Sequence, residues 1–325
     1  STLQPSNHPY LNGAWTPLME EVDATDLEVI EGAIPDDIDG IYLRNTENQI
    51  HQPLGRHHPF DGDGMIHQIS FQNGKANYRN RFVKTRCFDA EQSAEQSLWG
   101  GLMDGPGTSL RPGFGAHGSL KDSSSTDIVV HAGKAISTFY QCGEGYVLNP
   151  ETLEPEGLAP WVPIDGISAH PRVDENTGEM MFFNYSKFAP YMHYGVVDKD
   201  HKLVHYVPIE LPGPRLPHDM TFSENWSILN DLPVFWDEEL LKRDIHAVRF
   251  HKDMPSRFAL IPRHGDPSEI RWFEATPTYV LHWLNAYEEG DEVIMDGYFQ
   301  GDPAPEPIAE AGEHGHLMAY LDQHS

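Results

Sequence analysis

Turn residues at short intervals constrain this chain more than any other feature of its sequence. Residues 69–71 alternate in polarity and end at Asn73-Gly74, and a second alternating run follows over residues 78–82. Asn-Gly between two such runs is a strong signal for a β-hairpin. Residues 128–130 and 135–140, separated by Ala132-Gly133, predict another hairpin. Further strands are predicted at residues 180–185, 194–197, 203–209, 226–229, 258–261, 279–284 and 293–298.

Helix signals are few. Ala90, Ala94, Leu98 and Leu102 recur at four-residue spacing and predict a helix over residues 89–103. A second, shorter helix is predicted over residues 236–242. The remaining pattern favours an all-β protein whose sheets form either a sandwich or a propeller. Since composition does not shift along the chain, we expect one domain over residues 1–325.

The charge balance excludes several classes of partner. The chain has 50 acidic and 22 basic residues, a formal net charge of -28. Such a chain repels phosphate backbones, so we expect no nucleic-acid partner, and docking on anionic lipid by charge alone is disfavoured. We predict no transmembrane helix and no secretory signal. Cys87 and Cys142 could pair, but two cysteines make no disulfide framework, so a reducing, cytoplasmic location is expected.

Three of the 19 histidines stand at or beside the edges of predicted strands. His170, His218 and His282 are 48 and 64 residues apart, about one propeller blade each, so their side chains could converge. Residues 280–284 surround His282 with apolar side chains and predict that its imidazole is buried. A metal ion together with a hydrogen-bond acceptor would satisfy both ring nitrogens. Each residue could equally be a satisfied core histidine, and the spacing alone does not decide between these readings.

At these residues the chain resembles the carotenoid cleavage oxygenase family of non-haem iron enzymes. The resemblance covers about residues 26–298. Its segments in chain order are GIYLRN (40–45), FDGDGMIH (60–67), YRNRFV (78–83) and HAGK (131–134), followed by the three histidine contexts. It implies a seven-bladed β-propeller with few short helices, of which this chain covers about five blades.

The resemblance also implies a metal and a reaction. Family members hold Fe(II) with four histidines, and His170, His218 and His282 match the first three ligands. The similar enzymes insert both atoms of O2 across a carbon–carbon double bond and release two carbonyl products, without a nicotinamide, flavin or oxoacid. His314, His316 and His324 lie near the C-terminus, but none stands in the context of the fourth ligand, which is left unassigned.

Two departures from the family pattern bear on the site. Gln141 stands where the family has the first carboxylate that steadies a ligand histidine, and Glu144 is the alternative for that role. The stilbene-cleaving branch grips a phenol with a tyrosine and a lysine, and these positions align with Phe88 and Tyr140. Loss of the lysine favours an apolar conjugated alkene, a carotenoid or apocarotenoid, as the substrate with O2.

Alternatives to this reading remain. One is an oxygenase of the same fold that cleaves a stilbene or phenylpropene, and another is a non-catalytic propeller or an inactive fragment. An apolar substrate also suggests peripheral membrane contact through an exposed entrance patch. Residues 98–99 and 234–236 are the candidates for that patch, although core packing would explain them equally well. The sequence carries no signal for the oligomeric state.

Overall fold

Antiparallel sheets make up most of the structure. The computed structural model describes residues 3–104, 106–113, 120–243, 248–300 and 306–315. The first sheet contains β1 (Asp23–Ala24), β2 (Gly40–Asn48), β3 (Asp63–Gln72) and β4 (Lys75–Phe82). Its strand order is β1-β4-β3-β2, so β2, β3 and β4 form a meander with β1 added at the edge.

Three more four-stranded sheets follow along the chain. The second runs in sequence order through β5 (Asp127–His131), β6 (Lys134–Thr138), β7 (Tyr146–Leu148) and β8 (Pro155–Leu158). The third runs through β9 (Arg172–Asp174), β10 (Glu179–Tyr185), β11 (Tyr191–Val197) and β12 (Leu203–Glu210). The fourth has the order β13-β14-β17-β18, with strands β13 (Thr221–Phe222), β14 (Trp226–Asp231), β17 (Ser256–Pro262) and β18 (Arg271–Ala275).

Two further antiparallel strand pairs lie in the described residues. One is inserted between β14 and β17 and contains β15 (Val234–Trp236) and β16 (Val248–Phe250). The other contains the two long strands β19 (Tyr279–Glu289) and β20 (Glu292–Gln300). Every strand predicted from the sequence is present, and the prediction of an all-β fold with few short helices is confirmed. Four antiparallel four-stranded sheets and a further hairpin are the units of which propeller blades consist.

The turn at Asn73-Gly74 shows why the local sequence predicts the hairpins. Asn73 and Gly74 both have positive φ, 51° and 69°, as a type I′ turn requires. Asparagine tolerates this region and glycine adopts it freely, so the turn twists with its flanking strands. The register of β3 and β4 then pairs Gln72 with Lys75 directly across the turn.

The prediction of a helix over residues 89–103 is wrong in its extent. Helix α1 spans Arg86–Ala94; it begins where the Thr85 hydroxyl accepts the Phe88 amide and ends at Glu95, which has a left-handed φ of 53°. Leu98 and Trp99 fold back onto the helix and pack against its buried side. The four-residue spacing that reaches Leu98 therefore reflects packing of a loop on a helix. The second helix, α2, is a single turn over Glu238–Leu241 capped by the Asp237 carboxylate.

The chain divides into two structural units. The first contains residues 1–169, 173–180 and 198–202, and the second contains residues 170–172, 181–197 and 203–325. Whether the chain is one domain stays a prediction. In the first unit, Ile66, Val83, Ala135, Tyr146, Leu148 and Leu153 form a shared core of the first two sheets. No helix in the described ranges is long and apolar enough to cross a membrane.

The core of the second unit joins the fourth sheet to the hairpin that carries His282. Ile228 and Leu260 of the sheet pack with Val280 and Trp283 of β19. All four side chains are buried, so β19 is anchored from the side opposite to its exposed residues. This anchoring fixes the strand on which one of the predicted ligands lies.

Candidate metal centre

Three histidine side chains converge within the second unit. One ring nitrogen from each of His170, His218 and His282 lies within 4.8 Å of the others. The ring centroids are 4.7, 5.0 and 5.2 Å apart, and each pair of rings meets edge to face. In the described part of the chain, no other group of three His, Cys, Asp or Glu side chains has this spacing. The structure therefore brings together the three histidines that the sequence analysis selected.

Each histidine comes from a different part of the second unit. His170 stands two residues before β9 and His218 three residues before β13, whereas His282 lies within β19. His170 and His218 are half-buried, but His282 is exposed. The prediction that His282 is a buried imidazole is therefore wrong. The apolar neighbours Val280 and Trp283 are buried in the core while His282 points away from it.

Backbone irregularities in β19 explain the orientation of His282. The register with β20 shifts between Val280 and Trp283, and again between Trp283 and Asn285. Each shift places an extra residue on β19, and such bulges redirect side chains relative to the regular alternation of a strand. In a strand without bulges, strict alternation would place Leu281 and Trp283 on one face and His282 on the opposite face. The site therefore depends on an irregularity that the residue pattern does not reveal.

The geometry of the three rings fits a metal ion. The Nε2 atoms of His170 and His218 are 3.0 Å apart. Two imidazole nitrogens bound to one ion at about 2.1 Å and at a right angle to each other are separated by ~3.0 Å. A hydrogen bond between the two rings would also give this distance, but it would not account for the third ring. Neutral imidazole is a ligand that suits iron as well as zinc and copper.

A charged pair next to these histidines was not singled out by the sequence analysis. Arg172 follows His170 by two residues, Asp219 follows His218 directly, and their side chains form an ion pair with an N–O distance of 2.5 Å. The Asp219 carboxylate is almost fully buried. The sequence offered only one signal, the adjacency of each residue to a candidate ligand.

The two residues predicted to steady a ligand lie in the first unit. Gln141 is buried, with 7% of its surface exposed. Glu144 accepts hydrogen bonds from the Arg86 guanidinium and from the Tyr146 hydroxyl, the latter at 2.9 Å. The Glu144 carboxylate is therefore committed to these two partners. The roles of Gln141 and Glu144 toward a ligand histidine stay predictions.

The predicted substrate residues Phe88 and Tyr140 occupy different surroundings in the first unit. Phe88 lies in α1, where its ring packs at 5.4 Å from that of Phe82. Tyr140 lines a small cavity of about 40 Å3 together with Phe60, Trp99, Phe139 and Lys121. Phe88 is not among the residues that line this cavity.

A lysine in this cavity changes the argument about the substrate. Lys121 Nζ donates to Asp63 at 2.8 Å and to Glu91 at 2.5 Å, and both carboxylates are buried. Burial alone would lower the pKa of Lys121, but the two carboxylates outweigh it and raise that pKa. Lys121 and Tyr140 thus line the same cavity, and the two carboxylates favour the charged form of the lysine. The preference for an apolar substrate stays a prediction, although Lys121 places an ammonium group in the cavity that Tyr140 lines.

The residues proposed for an apolar entrance patch are mostly buried. Leu98, Trp99 and Trp236 have 4%, 6% and 6% of their surface exposed, so the core-packing reading is correct for them. Val234 and Phe235 are half-buried, and Arg215 stacks on the Phe235 ring at 4.0 Å. These segments therefore offer no continuous exposed apolar patch.

The fourth ligand stays unassigned. His314 ends a 3-10 helix over Ala309–His314 and does not belong to the three-histidine group. His316 and His324 lie outside the described residues.

Comparisons with known proteins agree on one family. The family model for the retinal pigment epithelial membrane protein, RPE65, matches residues 15–316. A carotenoid 9,10(9',10')-cleavage dioxygenase of Pisum sativum is 32% identical over 311 residues, which covers 89% of this chain and 56% of the relative. An isoeugenol monooxygenase of Pseudomonas nitroreducens is 33% identical over 296 residues and covers 89% and 61%. The chain thus spans less than two thirds of the length of these relatives.

Solved structures show the same relationship. The lignostilbene dioxygenase of Pseudomonas brassicacearum superposes with a TM-score of 0.79 at 27% identity, covering 91% of this chain and 62% of that one. The apocarotenoid oxygenase of Synechocystis superposes with a TM-score of 0.70 at 26% identity, covering 86% and 61%. The fold of the described residues is therefore that of these oxygenases.

Proposed function

Because this chain belongs to the carotenoid cleavage oxygenase family, we propose that it is part of an Fe(II) dioxygenase that cleaves a conjugated carbon–carbon double bond. The observation that carries the proposal is the convergence of His170, His218 and His282. In the overall reaction the C=C and O–O bonds break and two C=O bonds form. The alkene supplies the electrons, so the reaction balances without a further reductant.

The three histidines account for the metal. Neutral imidazoles add no negative charge, so an ion held by them keeps its full positive charge. When bound, Fe(II) would supply a redox-active site at which dioxygen reacts with the alkene. The chain contributes the three histidine ligands and the hydrogen-bonded segments that hold them.

We propose a carotenoid or apocarotenoid as the substrate. Relatives named for carotenoid cleavage support this choice. The charge of Lys121 is already balanced by Asp63 and Glu91, so the cavity beside Tyr140 offers no unpaired cation to a phenolate.

A phenylpropene or stilbene is the second candidate. An ammonium group has three donors, and Lys121 uses two of them on Asp63 and Glu91. The third is left for a phenol hydroxyl, but the cavity that Tyr140 also lines, about 40 Å3, would have to widen to admit a phenol ring. The relatives named isoeugenol monooxygenase and lignostilbene dioxygenase support this alternative.

One experiment tests the metal and the substrate together. We expect the purified protein to retain Fe(II), and His218→Ala to lose it. His264→Ala removes an exposed histidine of the same unit and serves as the matched control. Under 18O2, an apocarotenal, isoeugenol and a hydroxystilbene are supplied in turn, and mass spectrometry detects labelled carbonyl products.

Each outcome of this experiment decides a point. Label in both carbonyl products supports the dioxygenase reaction, and the substrate consumed fastest selects between the two classes. Cleavage of the phenolic substrates alone would replace the first candidate by the second. A folded wild-type protein that retains no iron, or a His218→Ala variant with undiminished iron, would overturn the proposal and favour a non-catalytic propeller.

A further inference from the structure

The three segments that carry the histidines are tied to one another by a closed triangle of hydrogen bonds. Arg172 Nη2 donates to the Asp219 carboxylate at 2.5 Å and to the Trp283 carbonyl at 3.2 Å. The backbone N–H of Trp283 donates to the same oxygen of Asp219 at 2.8 Å. Each corner of the triangle is therefore bonded to the other two.

The corners stand one or two residues from the candidate ligands. Arg172 follows His170 by two positions, while Asp219 and Trp283 directly follow His218 and His282. A shift of any corner would therefore move the backbone of the adjacent histidine. The triangle spans 111 residues of sequence, and it joins segments that no single sheet ladder pairs with one another.

Further contacts hold the Asp219 corner in place. Its second carboxylate oxygen accepts the Met220 amide at 2.7 Å, and its carbonyl accepts the Asn230 side chain at 2.7 Å. Arg172 Nε also donates to the Met220 carbonyl at 2.9 Å. Both carboxylate oxygens of Asp219 are thus occupied by donors of the triangle and its neighbours. Asp219 acts on the histidine group through the backbone.

Stability alone does not explain why Arg172 and Asp219 form a largely buried ion pair. The Asp219 side chain is 1% exposed and that of Arg172 is 27% exposed. A buried ion pair costs desolvation, and well-packed apolar residues often serve equally well or better for stability. Charged groups with fixed hydrogen-bond directions do, however, specify geometry. Residues around a metal site that orient its ligands typically contribute 10–100-fold in metal affinity.

We propose that Arg172 and Asp219 are positioning residues that preorganise His170, His218 and His282 for metal binding. This inference rests on the proposed function, because it requires that the three histidines bind a metal. The triangle fixes the separation of the three segments before the metal arrives. Metal binding then costs less ordering of the chain, since the ligand atoms already converge.

The test measures Co(II) binding to the full chain by titration, with the visible absorption of bound Co(II) as a second readout. We expect Asp219→Ala and Arg172→Met to weaken Co(II) binding by 10–100-fold and to change the spectrum. Arg172→Lys keeps a cationic donor and should recover part of the affinity. Asp219→Asn keeps an acceptor oxygen but loses the charge, so it should bind Co(II) more weakly than the wild type, and it replaces Asp219→Ala if the alanine variant does not fold.

A second ion pair of the same unit provides a control. Arg257 pairs with the buried Asp231 at 2.7 Å, and its side chain is 26% exposed, almost the same as that of Arg172. Asp231 keeps its second partner, the Arg215 guanidinium at 2.6 Å, so Arg257→Met should lower the melting temperature by less than Arg172→Met while leaving Co(II) affinity and spectrum at wild-type values. This comparison separates positioning of the ligands from general loss of stability.

The results distinguish the inference from the function on which it rests. If wild-type protein binds Co(II) and the folded Arg172 and Asp219 variants bind it equally well with the same spectrum, only the positioning role is wrong. If Arg257→Met weakens binding as much as Arg172→Met, the positioning role is also wrong. If folded wild-type protein binds no Co(II), the metal site itself is wrong and the inference fails with it.

Discussion

The indole ring of Trp283 lies directly on the backbone of Gly297 in the paired strand. A Cβ added at position 297 would be 2.7 Å from Trp283 Cε3, inside the contact distance of real carbon atoms. Trp283 is buried, and its backbone amide is the corner of the triangle next to His282. Because position 297 has no side chain, Trp283, the residue after His282, can pack in the core.

We expect Gly297→Ala to destabilise the protein by about 1–3 kcal/mol, because the added methyl group displaces the Trp283 ring from its packed position. Urea unfolding monitored by tryptophan fluorescence measures this change. Gly107→Ala serves as the control, since no atom lies within 4 Å of a Cβ at that position, and it should change stability by less than about 0.5 kcal/mol. Equal stability of Gly297→Ala and wild type would show that Trp283 does not depend on this contact.

A buried hydroxyl network in the second unit gives a second prediction. The Tyr194 hydroxyl donates to the Arg263 carbonyl at 2.8 Å and lies 2.6 Å from Ser227 Oγ, and both side chains are fully buried. Tyr194→Phe removes the donor to the carbonyl and the acceptor for the serine, so we expect a loss of about 1–3 kcal/mol. Thermal or urea unfolding measures it.

The control for this network is Tyr298→Phe, which removes a hydroxyl from a residue that is 63% exposed and should have little effect. Combining Tyr194→Phe with Ser227→Ala completes a double-mutant cycle. The double variant should lose less than the sum of the single losses, because each single change leaves the other hydroxyl without its partner. Strict additivity would contradict the network.

The hairpins could be predicted from the sequence because their cause is local. At Asn73-Gly74 the backbone conformation of the turn is a property of the two residues themselves. The end of α1 could not be predicted in this way. The four-residue spacing of apolar side chains continues to Leu98, but the chain reverses at Glu95 and brings Leu98 back against the helix. Spacing reports which residues are buried and leaves open whether they share one helix.

The candidate site shows the same division. Local context selected the three histidines, yet it predicted a buried His282, because it could not show the register shifts of β19. Arg172 and Asp219 are 47 residues apart, and nothing in either local segment indicates that their charges meet. Pairing of charges between distant segments is a property of the fold, so it emerged only from the structure.

The buried lysine in the first unit gives a third prediction. Lys121 balances Asp63 and Glu91, whose side chains are each 3% exposed. Lys121→Met leaves two buried carboxylates without their cation, so we expect a loss of about 3–5 kcal/mol at pH 7. Burial already raises the pKa of Asp63, and removal of the ammonium group raises it further. The loss should therefore be smaller at pH 5, where a proton replaces the lysine.

Lys134→Met is the control for this change. Lys134 pairs with Glu156 at 2.5 Å, but the two side chains are 41% and 32% exposed. Its removal should change stability little, because exposed ion pairs contribute little. A Lys121→Met loss that matches that of Lys134→Met, or that grows between pH 7 and pH 5, would show that the buried carboxylates do not depend on Lys121.

A buried histidine gives the last prediction, on pH dependence. His58 Nδ1 accepts the Phe60 amide at 3.0 Å, and burial, with smaller contributions from His57 and His8, lowers the pKa of His58 to about 3. The unfolded chain, with a pKa near 6.5, binds a proton that the folded protein excludes, so stability falls as pH drops below about 6.5. At pH 5 this contribution amounts to about 2 kcal/mol.

His58→Asn keeps an acceptor for the Phe60 amide and does not titrate. Urea unfolding at both pH values should therefore show the difference between wild type and His58→Asn shifting by about 2 kcal/mol in favour of the variant from pH 7 to pH 5. A difference between wild type and His58→Asn that stays constant would mean that His58 is protonated equally in the folded and unfolded chains.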